Sequence, residues 1–243
     1  MDKIRLGRTG LMVSRSAFGG LPIQRDDRAT AVAIVRRAYE GGINFFDTAR
    51  GYTDSESKIG EALSDVRGEV ILATKAPHPG RDAVLRDLEE SLRQLRTDHV
   101  DLLQLHNPRQ LPDPDDPQGS YAGLLEAHRQ VMARFIGVTN HSRQLALRAA
   151  ESGLYDTVQF PFSYLAGEED AALARRCGEL DVGFIAMKAL SGGLITDAAT
   201  AVAYMRQFDN VVPIWGIQHL RELEQFLALE ADPPALDEAM AAR

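Results

Sequence analysis

Apolar residues along the chain gather into eight short runs, beginning near Ser16, Ile43, Val70, Val100, Arg134, Thr157, Val182 and Val211. Each has strand length and is followed by a stretch of helical period. That alternation predicts an α/β fold with a closed parallel sheet inside a ring of helices, a (β/α)8 TIM barrel. Val84, Leu85, Leu88, Leu92 and Leu95 step by three or four residues along one helix face, and residues 31–39 form another helix that stops at Gly41-Gly42. Ser142 and Asp197 are placed to cap helix N-termini. Ahead of the first run, Ile4-Arg5-Leu6 and Leu11-Met12-Val13 flank Gly7-Arg8-Thr9-Gly10, the pattern of a short N-terminal β-hairpin that can plug the barrel floor.

Polar residues interrupt this pattern where it matters most. Asp47 follows Ile43-Asn44-Phe45-Phe46, Lys75 follows Val70 to Thr74, and His106 follows Val100 to Leu105, so each ends an apolar run. Tyr52 stands just past Asp47 in the same loop. A β/α barrel collects catalytic groups at these strand ends. The stretch from Pro108 to Gly119, with three further prolines, reads as a long loop that shapes the pocket.

At 243 residues and 44% apolar content, the chain suits one barrel, a single domain over 1–243. The formal charge of -8 opposes phosphate backbones and anionic membranes, so neither nucleic acid nor membrane is an expected partner. Cys177 is alone and the N-terminus lacks an apolar signal core, which makes a cytoplasmic location the expectation. His78, His99, His128, His141 and His219 show no paired spacing for a metal. Nothing in the sequence sets an oligomeric state.

Reducing a carbonyl needs a hydride on carbon and a proton on oxygen. Tyr52 is the candidate acid. Lys75 supplies an ammonium that pulls the phenol from about 10 toward working pH, and Asp47 keeps that ammonium charged. His106 donates to the substrate oxygen. Taken singly, Asp47 reads as a cap, Lys75 as an exposed strand end, His106 as a turn residue and Tyr52 as an aromatic cover; the joint pattern is harder to explain that way.

Asp47-Thr48-Ala49-Arg50-Gly51-Tyr52, Ala73-Thr74-Lys75 and Leu103-Gln104-Leu105-His106 resemble the motifs of the aldo-keto reductase family in order and spacing. Gly7 to Leu11, Phe18-Gly19-Gly20 and Phe135 to Asn140 resemble its opening and its fifth strand. The resemblance implies NADPH or NADH as cofactor, a small carbonyl substrate, Tyr52 as proton donor tuned by Lys75 and Asp47, and His106 as substrate orienter. It further implies that Asn140 and Gln159, with Thr139, hydrogen-bond the nicotinamide carboxamide.

Three departures qualify the resemblance. Met187, in Ile185-Ala186-Met187-Lys188-Ala189-Leu190, replaces the family's stacking aromatic; Lys188 and Leu190 flank it, and Gly192-Gly193 resembles the phosphate-side loop. In the stretch holding Gly216 and Gln218, Glu222 stands where an arginine is expected to grip the adenosine 2′-phosphate, which turns the expectation toward NADH unless Arg221 or His219 faces inward. Trp215 in that stretch reads as core or rim packing. Last, residues 233–243 carry no long closing loop, so an open mouth is expected. They also hold none of the cysteines of an iron–sulfur segment found in a similar branch. The alternative to a reductase is a cofactor-binding regulatory or sensor protein on the same fold; a barrel lyase or metal hydrolase ranks last.

Overall fold

The computed structural model describes residues 1–236. Strands β1 (Lys3–Arg5) and β2 (Met12–Ser14) pair antiparallel around a 3-10 turn at Gly7–Thr9. The chain then alternates β3 (Ala17–Gly19), α1 (Arg28–Glu40), β4 (Phe45–Asp47), α2 (Ser55–Leu63), β5 (Ile71–Ala76), α3 (Arg81–Leu95), β6 (Val100–His106) and α4 (Ser120–Arg129). It continues through β7 (Ala133–Thr139), α5 (Arg143–Glu151), β8 (Thr157–Pro161), α6 (Glu168–Glu179), β9 (Gly183–Met187), α7 (Ala198–Met205), β10 (Val211–Gly216) and α8 (Leu220–Ala231). Strands β3 to β10 pair parallel with their chain neighbours, and β10 closes on β3 to complete an eight-stranded barrel.

Side-chain alternation along the strands sorts residues between two cores. Phe46, Leu72, Leu103, Val138, Val158, Phe184 and Trp215 face outward into the layer packed by the helices. Phe45, Ile71, Ala73, Leu102, Ile185, Val212 and Ile214 face inward, where Ile4, Leu6, Leu11 and Val13 of the hairpin pack against them and plug the floor. Burying a side chain of this size contributes roughly 1.5–3 kcal/mol. The plug is pinned by Asn44, whose Oδ1 accepts from Ser14 N at 2.6 Å while its Nδ2 donates to Met12 O at 3.0 Å. These bonds explain why β4 starts at Phe45 and not at the predicted Ile43: Asn44 serves the hairpin.

Helix starts follow the predicted capping chemistry. Ser142 accepts from Leu145 N, and Asp197 from Thr200 N. Trp215 belongs to the core, stacked on Phe226 at 4.7 Å with its indole N–H donating to Ser16 Oγ. Residues 108–119 differ from expectation. None of them lines the main cavity; the segment turns toward the start of α3, where Arg81 N donates to Gln118 O at 2.8 Å. Its prolines leave it few N–H groups for pairing, and it satisfies its carbonyls on neighbouring loops. The expected reading of the chain's end falls partly on residues 237–243, which lie outside the described residues.

Candidate active site

The inward parity that buries Phe45, Ile71 and Leu102 continues to the strand ends. Two residues beyond Phe45 comes Asp47; four beyond Ile71 and Leu102 come Lys75 and His106. The same alternation places Gly19, Thr139, Gln159, Met187 and Gly216 at the tops of β3, β7, β8, β9 and β10. All of them except Lys75, which lies buried beneath Asp47, line a cavity of about 560 Å³ that opens at the C-terminal face of the barrel.

Lys75 is the hub of the floor. It is 1% exposed, and its Nζ donates to Asp47 Oδ2 at 2.6 Å and to Thr48 O at 2.7 Å. It lies 5.2 Å from the centre of the Tyr52 ring. Burial works against its charge, but Asp47 and Tyr52 more than offset that and hold Lys75 above its ordinary value. Burial raises the Asp47 carboxyl in turn, against the pull of Lys75. A carboxylate and a carbonyl oxygen accepting from this nitrogen, with the pKa raised, place the proton on Lys75. Asp47 Oδ1 is buried with no hydrogen-bond partner and borders the cavity.

Tyr52 is half-buried at the cavity edge, its ring meeting that of His106 edge-on at 5.6 Å. The expected lowering of the phenol's pKa is not found. Desolvation outweighs the attraction of Lys75, opposed further by Asp47, and keeps Tyr52 above 10.0. The phenol therefore keeps its proton at neutral pH. His106 moves the other way. Burial, then the charge of Lys75, then His141 lower it from 6.5 to about 4, so the imidazole is neutral at pH 7 and carries an N–H to donate.

The cavity wall includes most of the sequence-predicted positions: Thr139, Gln159, Met187, Lys188, Leu190, Gly192, Gly193, Gly216 and Gln218. Thr139 Oγ1 leans on Met187 Sδ at 3.6 Å, and Gln159 Oε1 accepts from Gln104 at 2.7 Å. Gly192 and Gly193 have φ of 70° and 97°, with no heavy atom within 4 Å of where a Cβ would stand. Close backbone approach by a ligand is open there.

Two expected positions lie elsewhere. Asn140 is absent from the wall, its Nδ2 donating to Pro108 O and its Oδ1 accepting from Ser142 N, both at 2.8 Å. Glu222 does not face a phosphate pocket: its Oε2 accepts from Gln218 N and His219 N and caps α8. Its carboxylate is thus engaged at the start of its own helix.

The sequence reading passed over Leu21, Pro22, Arg25 and His141, all on the wall. Their signal was position: three follow the first barrel strand and one follows the fifth, both at the catalytic face. Also missed was Glu56, 1% exposed, which pairs with Arg50 and accepts from Thr74 Oγ1 at 2.6 Å, bracing the residue before Lys75.

The aldo/keto reductase family model matches residues 16–230. The chain belongs to the aldo/keto reductase family. It is 29% identical to aldo-keto reductase YhdN of Bacillus subtilis over 82% of this chain and 65% of that protein, and 32% identical to L-galactose dehydrogenase of Arabidopsis thaliana over 81% and 69%. The chain thus spans just under two thirds of the length of the Bacillus protein. Its fold superposes on aldo-keto reductase AKR11C1 of Bacillus halodurans with a TM-score of 0.86 at 21% identity, covering 100% of this chain and 94% of the other. A Klebsiella pneumoniae aldo-keto reductase solved in complex with NADPH gives 0.80 at 22% identity, covering 99% and 93%.

The wall fits a nicotinamide dinucleotide. It offers an amide at Gln159, an orphaned acceptor at Asp47 Oδ1 for a ligand hydroxyl, and a cation at Lys188 beside two positive-φ glycines suited to a diphosphate.

Proposed function

We propose that this protein is an NADPH- or NADH-dependent oxidoreductase that reduces small aldehydes or ketones to alcohols, with Tyr52 as proton donor. The observation that carries the reading is the buried ammonium of Lys75, tied at 2.6 Å to Asp47 and 5.2 Å from the ring of a protonated Tyr52, beside a neutral His106. Gln159 and Thr139 would hold the nicotinamide end of the cofactor, Met187 would pack against its ring, and Lys188 with Gly192-Gly193 would take the diphosphate. When bound, the reduced nicotinamide supplies the hydride for the carbonyl carbon.

The remaining work belongs to the chain. His106 donates its N–H to the carbonyl oxygen, which orients the substrate and favours negative charge there. Tyr52 passes its O–H proton to that oxygen as the C=O π bond becomes C–O–H. Lys75, its ammonium 5.2 Å from the ring centre, stabilises the phenolate, which regains a proton from solvent. Asp47 keeps Lys75 charged and fixed.

The test is oxidation of NADPH and NADH with a panel of neutral aldehydes, followed by absorbance. The wild type should turn over one or more of them, and Tyr52→Phe should lose activity by roughly 10²–10⁴-fold while binding cofactor as before. Tight cofactor binding with no turnover of any carbonyl would replace this reading with that of a sensor.

A further inference from the structure

We propose that Arg25 receives the carboxylate of an anionic carbonyl substrate, so that the protein selects oxo-acids over neutral aldehydes. The inference rests on the reductase reading and deepens it. Arg25 ends the 3-10 turn Pro22–Arg25 that follows β3, and it lines the same cavity as Tyr52 and His106. It is exposed and makes no hydrogen bond or ion pair with any described residue.

That freedom does not come from a shortage of acids, since the chain carries 35 Asp and Glu against 27 Lys and Arg. The nearby arginines are engaged: Arg28 with Glu61, Arg36 with Asp65, Arg37 with Glu224 and Arg50 with Glu56. Asp27, two residues away, spends its carboxylate on the start of α1. A guanidinium presents a planar fork matched to a carboxylate, and here it is left open toward the site of chemistry.

The turn that presents Arg25 is fastened from below by a lysine the reduction does not use. Lys58 is 1% exposed; its Nζ donates to Ile23 O at 2.9 Å and Asp26 O at 2.8 Å, bracketing Arg25, and pairs with Asp54 at 2.9 Å. Ser55 Oγ donates to Gly20 O at 2.7 Å, and Ile23 is fully buried. Burying an ammonium is costly unless every donor is satisfied, and here all three are. Lys58 and Ser55 belong to α2, which begins three residues after Tyr52, so one helix holds both the phenol's loop and the root of Arg25.

The other unpaired cation on the wall, Lys188, sits with Gly192-Gly193 at the top of β9, separated from β3 by β10. Each is therefore given its own anion. Lys188 faces the diphosphate side, and Arg25, beside the β4 loop that carries Tyr52, faces the substrate.

The experiment compares wild type, Arg25→Gln and Arg25→Lys on 4-carboxybenzaldehyde against its methyl ester, and on 4-oxobutanoate against butanal. Cofactor affinity is measured without substrate by fluorescence titration. In wild type the acids should show the higher kcat/KM. Arg25→Gln should lower kcat/KM for the acids by about 10-fold through KM, leaving the neutral substrates and the cofactor Kd unchanged, and Arg25→Lys should restore part of the loss. Equal loss on acids and neutral compounds, or no loss, overturns the assignment. Weaker cofactor binding with acid preference intact also overturns it, and hands Arg25 to the cofactor's phosphates. Failure of the wild type on every carbonyl, acid and neutral alike, defeats the reductase reading instead. Calorimetric titration of 4-carboxybenzoate into the cofactor-loaded protein then still reads Arg25, because binding equal in wild type and Arg25→Gln rejects the carboxylate site.

Discussion

Protonation of His106 sets a pH dependence that can be worked out in advance. The imidazole falls from 6.5 in the unfolded chain to about 4 in the native protein, chiefly because it is buried and secondly because Lys75 lies nearby. Between those values the unfolded state binds the extra proton, so native stability drops as pH falls from 6.5 and levels off below 4. The full interval is worth about 3 kcal/mol at roughly 1.36 kcal/mol per pH unit. Integrating the two titrations between pH 7 and pH 5 assigns about 2 kcal/mol to this one residue.

Urea unfolding at both pH values, on wild type and His106→Asn, isolates the contribution as a difference of differences, since all other titrating groups are shared. The wild type should lose about 2 kcal/mol more than the variant. A difference well below about 1 kcal/mol would mean that His106 titrates near its ordinary value, unlowered by burial or by Lys75. An imidazole proton resonance moving with a midpoint near 6.5 would refute the reasoning independently.

Lys75→Met strands the Asp47 carboxylate in the floor and should cost about 3–5 kcal/mol in chemical denaturation, with Lys75→Met/Asp47→Asn regaining part of it. Activity of both variants should be reduced, because the phenolate of Tyr52 loses its partner. Removing the cap with Glu222→Ala should lower stability by about 1 kcal/mol while leaving the ratio of NADPH to NADH affinity unchanged; a shift in that ratio would show the carboxylate facing the cofactor after all. Lys58→Met should destabilise the fold by about 1–3 kcal/mol through the unpaired carbonyls of Ile23 and Asp26. It should also narrow the preference for carboxylate substrates, as read from kcat/KM for acid against ester.

The linear pattern of apolar and polar residues was enough to fix the barrel, because strand and helix periodicities are local and the eight strand runs begin within two residues of where their strands do. It also named Asp47, Lys75 and His106, since a polar residue ending an inward-facing run must reach the barrel's open end. Acid–base character was not legible in the same way. Tyr52 carries a cation beside it in both readings, but whether that cation or desolvation dominates depends on how deeply the ring is buried, a property of the closed barrel. The partners of Asn140 and Glu222 were hidden for a related reason: their side chains bond backbone groups of Pro108, Ser142, Gln218 and His219, and sequence shows the polar groups without showing who reaches them first. Arg25 and Lys58 lie 33 residues apart and acquire meaning only when α2 packs beneath the turn after β3. Long-range contacts of that kind decide charge, reach and selectivity, while short-range periodicity decides where the strand ends are.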